Sequence, residues 1–131
     1  RMIVSLAELL ATSDYISLHV PLTKDTRHMI GREQFAQLKP TAYLINTARG
    51  GLVDEPALVE ALRSGHRRTA GLDVFAQEPV APGNELLSLE NVVAMPHVAW
   101  LTPETFDRSL ELAAENCRRL GRGEALLNRV V

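Results

Sequence analysis

A single cysteine, Cys117, stands among 131 residues, so no intrachain disulfide can form. That scarcity suits a reducing, cytoplasmic setting. Cys117 sits among Leu112, Ala113, Ala114 and Leu120 and is expected to pack as a small buried hydrophobe. Long apolar runs are missing too. None approaches the ~20 residues that cross a bilayer, so no membrane partner is expected. Charge of one sign is not in excess. A net charge of −2 at pH 7 gives no basic footprint for nucleic acid and no polybasic face for anionic lipid. No signal peptide is expected, because Arg1-Met2-Ile3-Val4 leads straight into a helix cap. Repeats, low-complexity tracts and linkers are likewise lacking. What remains is 46% hydrophobic and 23% charged, the composition of one folded domain.

Three apolar runs in that domain end in the same way. Ala42 to Ala48 runs into Arg49, Ala70 to Phe75 runs toward Glu78, and Val92 to Pro96 runs into His97. If the runs are parallel strands of one sheet, all three side chains gather along its carboxyl edge, where ligands of open α/β sheets bind.

The local signals support such strands. Ser5-Leu6-Ala7-Glu8 has the form of a capping box, so a short helix follows. Tyr15 to Val20 is a β-rich run stopped by Pro21. Leu22 to Ile30 reads as a loop and Gly31 to Leu38 as a short helix ended by Lys39-Pro40. Arg49-Gly50-Gly51 is a turn with room for close approach to the backbone. Asp54 caps a helix that carries Pro56 in its first turn and stops at Ser64-Gly65. Thr69 to Val74 is the next strand, and Gln77 to Glu90 is irregular. After the strand Val92 to Met95, Thr102 and Pro103 start a helix reaching about Leu120, with Phe106, Leu110 and Cys117 on one stripe.

Alternating strands and helices imply a parallel sheet with right-handed crossovers. Tyr43-Leu44-Ile45 and Val92 to Met95 are apolar without alternation, as expected of strands covered on both faces. Tyr15 to Val20 is just as apolar, yet nothing before it can pair with it, since Arg1 to Val4 is too short for a βαβ unit. The fold expected is α/β, with about four strands, flanking helices and a long C-terminal helix.

The trio has a chemical logic. An imidazole gives and takes a proton near neutral pH. A carboxylate beside it fixes its tautomer. A guanidinium offers a planar, permanent charge that suits a carboxylate substrate. Together they suit oxidation of a hydroxyl next to a carboxylate, or the reverse reduction. Such chemistry needs a hydride carrier as well. Alone, Arg49 reads as a solvated turn residue, Glu78 as loop decoration and His97 as a strand-end histidine; their joint placement makes the case. Asp73, inside an apolar run, needs a polar or ligand partner. His28, His66, Arg63, Arg67 and Arg68 read as surface charge.

Four motifs occur in the order seen in the D-isomer-specific 2-hydroxyacid dehydrogenases. They are His19-Val20-Pro21-Leu22-Thr23 with Thr26, Asn46 to Gly51 with Val53-Asp54, Gly71 to Phe75 with Glu78-Pro79, and Pro96-His97-Val98-Ala99. The chain resembles that family over essentially its whole length. The resemblance implies a Rossmann-like domain that binds NAD or NADP. It implies that Arg49 binds the substrate carboxylate, that His97 is the general acid/base and that Glu78 hydrogen-bonds His97. Asp73 and the backbone of Ala48 and Arg49 would hold the nicotinamide carboxamide. His19, Val20 and Pro21 would line the adenine side, with Thr26, Thr47, His97 and Ala99 as further cofactor contacts. Trp100 either closes the substrate pocket or packs on the final helix; the pocket is the reading taken.

One departure is large. The family's domain opens with a G-x-G-x-x-G turn, and neither Gly50-Gly51 nor Gly121-Arg122-Gly123 fits it. Residues 1–131 are therefore expected to form the C-terminal part of a dinucleotide-binding domain, with the glycine-loop half and the substrate domain absent. The function expected is NAD(P)-dependent oxidation of a D-2-hydroxy acid, or reduction of the 2-keto acid, in a homodimer. The alternative is a non-catalytic, nucleotide-sensing or self-associating module of the same fold.

Overall fold

The computed structural model of the chain describes residues 5–64 and 68–129. Arg1 to Val4, the helix stop at Gly65, and the surface positions expected for His66 and Arg67 lie outside the described residues. The chain divides into two compact units, Arg1–His97 and Val98–Val131.

The first unit holds a parallel sheet. Its strands are β1 (Tyr15–Leu18), β2 (Tyr43–Asn46), β3 (Thr69–Leu72) and β4 (Val92–Ala94), in the order β1-β2-β3-β4. Helices α1 (Leu6–Thr12), α2 (Arg32–Gln37) and α3 (Glu55–Arg63) alternate with them. The capping residues read from the sequence act as expected: Ser5 Oγ accepts from the Glu8 amide at 3.1 Å and Asp54 Oδ1 from the Ala57 amide at 3.3 Å. Short 3-10 turns occupy Gly50–Leu52 and Glu85–Ser88.

The helices α2 and α3 pack on each other, and α1 packs on α2. Their apolar sides meet Ile16, Leu18, Leu44, Ala70 and Leu72 in one core with Phe35, Leu58 and Leu62. Among the described residues of this unit, one face of the sheet is covered. Burial alternates along β1, with Ile16 and Leu18 buried and Tyr15 and Ser17 exposed. Tyr15 stacks on its cross-strand partner Tyr43 at 4.9 Å, and Val93 is 61% exposed. The expectation of strands covered on both faces is therefore corrected. Apolar residues stand on both faces, but the helices of this unit all lie on one.

Arg68 also differs from expectation. It is buried, and its guanidinium donates to the carbonyls of Leu38 and Lys39 just past α2. Helix ends leave such carbonyls without intrahelical partners, so a cation is well placed there. Burial lowers the Arg68 pKa from its ordinary value. Arg63 is exposed and pairs with Glu85 at 2.6 Å.

The second unit is built on α4 (Pro103–Gly121), capped by Thr102, whose Oγ1 accepts from the Thr105 amide at 3.2 Å. Asn116 clamps the backbone of Leu127 through both side-chain atoms. No residue of α4 is buried, and Phe106, Leu110 and Leu120 are all exposed. Cys117 is exposed as well, which corrects its expected packing role. The stripe exists in the sequence, but within this unit nothing covers it.

Candidate active site

In parallel strands every carboxyl end faces the same way. The register sets Leu18, Asn46, Leu72 and Ala94 in one row across the sheet. The residues that follow, His19, Thr47, Asp73 and Met95, therefore form the rim. Asp73 and Met95 continue the ladder, donating from their amides to Asn46 at 3.0 Å and Leu72 at 2.8 Å. Strand β3 ends at Leu72, so Asp73 lies at the rim rather than inside the strand, and it is 5% exposed.

Beyond β2 the chain turns sharply, and buried Asn46 shapes the turn. Its Nδ2 donates to the Arg49 carbonyl at 3.0 Å, and its Oδ1 accepts from the Ala48 amide at 3.1 Å. The Arg49 guanidinium lies exposed and donates to the Ala48 carbonyl at 2.6 Å. Gly50 then packs on the Phe75 backbone: a Cβ there would lie 1.9 Å from the Phe75 carbonyl carbon. Only glycine permits this approach, which joins the Arg49 turn to the turn that carries Glu78.

That second turn is held by carboxylates. Glu78 Oε1 accepts from the Phe75 amide at 2.9 Å, and Glu55 Oε1 accepts from the Ala76 amide at 2.5 Å. The other Glu55 oxygen accepts from Asn84 Nδ2 at 3.3 Å. Glu78 thereby presents Oε2 to His97 Nδ1 at 2.7 Å. The bond to His97 and then the Phe75 amide hold the Glu78 carboxyl below its ordinary pKa. His97 has φ +58, in the left-handed region. That costs a non-glycine residue about 1–3 kcal/mol and is typical of functional positions.

Arg49, Glu78 and His97 line one cleft of about 300 Å³. Glu78 and His97 also border a neighbouring cleft of about 500 Å³ with Asp73. A larger cleft, about 790 Å³ beside Glu55 and Arg63, contains none of the three. Size does not choose between them; the convergent polar groups do.

The other expected cofactor residues take varied places. His19 Nε2 lies 2.8 Å from Ser17 Oγ. The Thr26 hydroxyl donates to the Pro21 carbonyl and accepts from the Thr23 amide, both at 2.7 Å. Val20, Pro21 and Thr47 are exposed near the carboxyl edge. Ala99 and Trp100 belong to the second unit, in the exposed stretch before α4. Sequence reasoning missed the roles of Asn46 and Glu55, while it reads Gly50 as open to close backbone approach and the Phe75 backbone is what approaches it. Asn46 left a signal, as a lone amide ending an apolar strand. Glu55 left none, because an acid in the first turn of a helix is ordinary.

Residues 1–99 match the family described as D-isomer specific 2-hydroxyacid dehydrogenase, NAD binding domain. The chain belongs to this family. It is 54% identical to a glyoxylate reductase of Korarchaeum cryptofilum, over 92% of this chain and 36% of that protein. Among solved structures, the TT0316 protein of Thermus thermophilus matches with a TM-score of 0.92 and 46% identity, over 98% of this chain and 41% of the other. The D-lactate dehydrogenase of Lactobacillus jensenii, solved with NAD+, matches at 0.88 and 36% identity, over 98% and 42%. The chain thus spans little more than a third of the Korarchaeum relative. Its Rossmann-like, NAD-binding character agrees with the site. A carboxamide NH2 needs acceptors, and buried Asp73 and the Ala48 carbonyl are acceptors at the rim. The Ala48 amide is a donor and serves Asn46, whereas the Ala48 carbonyl, which accepts from Arg49, has a second lone pair for a carboxamide. Among the described residues no helix is long and apolar enough to cross a membrane.

Proposed function

We propose that this chain is the C-terminal part of the coenzyme domain of an NAD(P)-dependent oxidoreductase acting on the CH–OH group of a D-2-hydroxy acid. The glycine-loop half and the substrate domain lie elsewhere in the full-length protein, which works as a dimer. One observation carries the reading: a guanidinium, a carboxylate and an imidazole border one cleft, with the imidazole and carboxylate 2.7 Å apart.

The residues then have distinct tasks. Arg49 binds the carboxylate of the substrate. Glu78 accepts from His97 Nδ1, which fixes the tautomer and leaves proton transfer to Nε2. In the oxidative direction His97 takes the hydroxyl proton; in the reductive direction it returns one to the carbonyl oxygen. Asp73 and the Ala48 carbonyl hold the nicotinamide, and His19, Val20, Pro21, Thr26 and Thr47 the rest of the cofactor. A bound nicotinamide supplies the hydride exchange.

In the full-length protein His97→Gln is expected to lower kcat by about 10²–10⁴ with little change in dinucleotide affinity. Near-wild-type turnover in a steady-state assay would remove the acid/base role. For the 131-residue chain alone, the exposed Tyr15, Tyr43 and Val93 favour a second reading, a self-associating interaction module.

A further inference from the structure

The cleft that holds Arg49 and His97 is also lined by Arg27 and His28. Neither belongs to the family motifs quoted above. The loop that carries them is laced to the Arg49 turn by three backbone hydrogen bonds. His28 donates to Gly51 at 2.9 Å, Ile30 to Leu52 at 3.1 Å, and Asp54 to Ile30 at 3.0 Å. His28 is held at φ +53 by this arrangement. Arg27 Nη1 lies 3.5 Å from where a Cβ on Gly51 would stand, so its guanidinium rests on the glycine turn beside Arg49.

The charges in this cleft do not balance. Arg27 and Arg49 are permanently cationic. Among the described residues neither forms an ion pair. Glu78 is the one acid in the lining, and its two oxygens already serve His97 and Phe75. Two unneutralised guanidinium groups facing one small cleft repel each other, and an anion relieves that repulsion. Arg49 accounts for one carboxylate. Arg27 is left over.

The cofactor is the poorer candidate for Arg27. The residues expected on its adenine side, His19 to Pro21, do not border this cleft, nor do Thr26, Thr47 or Asp73. At about 300 Å³ the cleft suits a small acid rather than a dinucleotide.

We propose that Arg27 is a specificity residue: it binds a second anionic group, carboxylate or phosphate, on the end of the 2-oxo acid remote from Arg49. This rests on the dehydrogenase reading. The substrate class is then a doubly anionic 2-oxo or 2-hydroxy acid, with Arg49 on the reacting end and Arg27 on the tail.

The test uses the full-length protein and three probes: 3-hydroxy-2-oxopropanoate, its 3-phosphate ester, and 2-oxobutanedioate. The wild-type protein is expected to show higher kcat/KM for the two probes that carry a second anionic group. Arg27→Ala should lower the ratio of their kcat/KM to that of the single-carboxylate probe by ~10- to 100-fold, the size of a charge-assisted contact. Arg27→Lys should restore part of it. Lys24→Ala removes a charge from the same turn outside the cleft, and should leave the ratio unchanged. An unchanged ratio in Arg27→Ala overturns the proposal, as does an equal fall in Lys24→Ala. A rise in the dinucleotide KM with no change in the ratio assigns Arg27 to the cofactor phosphates instead. Arg49→Ala separates the two levels. If it leaves all three substrates unaffected, the dehydrogenase site itself fails; if only Arg27→Ala is silent, the second-anion assignment alone fails.

Discussion

At Glu78 both carboxylate oxygens have work: one accepts from His97 and the other from the Phe75 amide. Those bonds favour the charged form, so the pKa of the folded chain lies below that of the unfolded chain. Linkage then gives a sign. The stabilisation is complete above the ordinary carboxylate value of about 4.3 and disappears as pH falls through the lowered one. The effect is modest, because the Glu78 side chain is 37% exposed and water screens it. Glu78→Gln should therefore unfold more easily than wild type near neutrality, and the gap should close below about pH 4. Urea denaturation across that range measures it; a gap that widens in acid would refute the assignment. The residues of this pair were legible in the sequence. Their bond was implied by the family resemblance but not by local patterning, because 19 positions separate them and a turn brings them together.

Two turns meet through Gly50, whose α-carbon leaves no room for a side chain against Phe75. This contact sets the spacing between the element bearing Arg49 and the element bearing Glu78. Gly50→Ala is expected to push the turns apart, with a stability loss of about 1–3 kcal/mol, the usual cost of overpacking. Thermal unfolding measures the loss, and an unchanged Tm would show that the turns are not in contact. The same variant should raise the substrate KM in the full-length protein, since Arg49 moves with the turn. At this scale the sequence was informative about caps and breaks. Ser5, Asp54 and Thr102 cap the helices they were expected to cap. Three strand ends were overestimated by one or two residues: the run from Tyr15 to Val20 yields a strand that stops at Leu18. Apolar composition does not mark where ladder pairing ends.

Two apolar surfaces are exposed among the described residues, one in each unit. One is the sheet face of Tyr15, Tyr43 and Val93; the other is the α4 stripe of Phe106, Leu110 and Leu120. Strand β1 is also an edge strand, and such edges template pairing with other chains. The isolated 131-residue chain should therefore associate at micromolar concentration, as sedimentation velocity would show. A monodisperse monomer would mean these surfaces are tolerated exposed. In the full-length protein, association through the sheet face should weaken if the rest of the proposed coenzyme domain covers it.

Composition, caps and the order of apolar runs already determined an α/β chain with parallel strands, because those depend on local propensity and period. They also put Arg49, Glu78 and His97 after strand ends, which is where parallel topology exposes side chains to one rim. Only the tertiary structure decided which face of the sheet is bare, that Arg68 is buried over the carbonyls beyond α2, and that Arg27 shares a cleft with Arg49. Each of these depends on residues far apart in the chain meeting in space. One-dimensional patterning carries no record of such meetings.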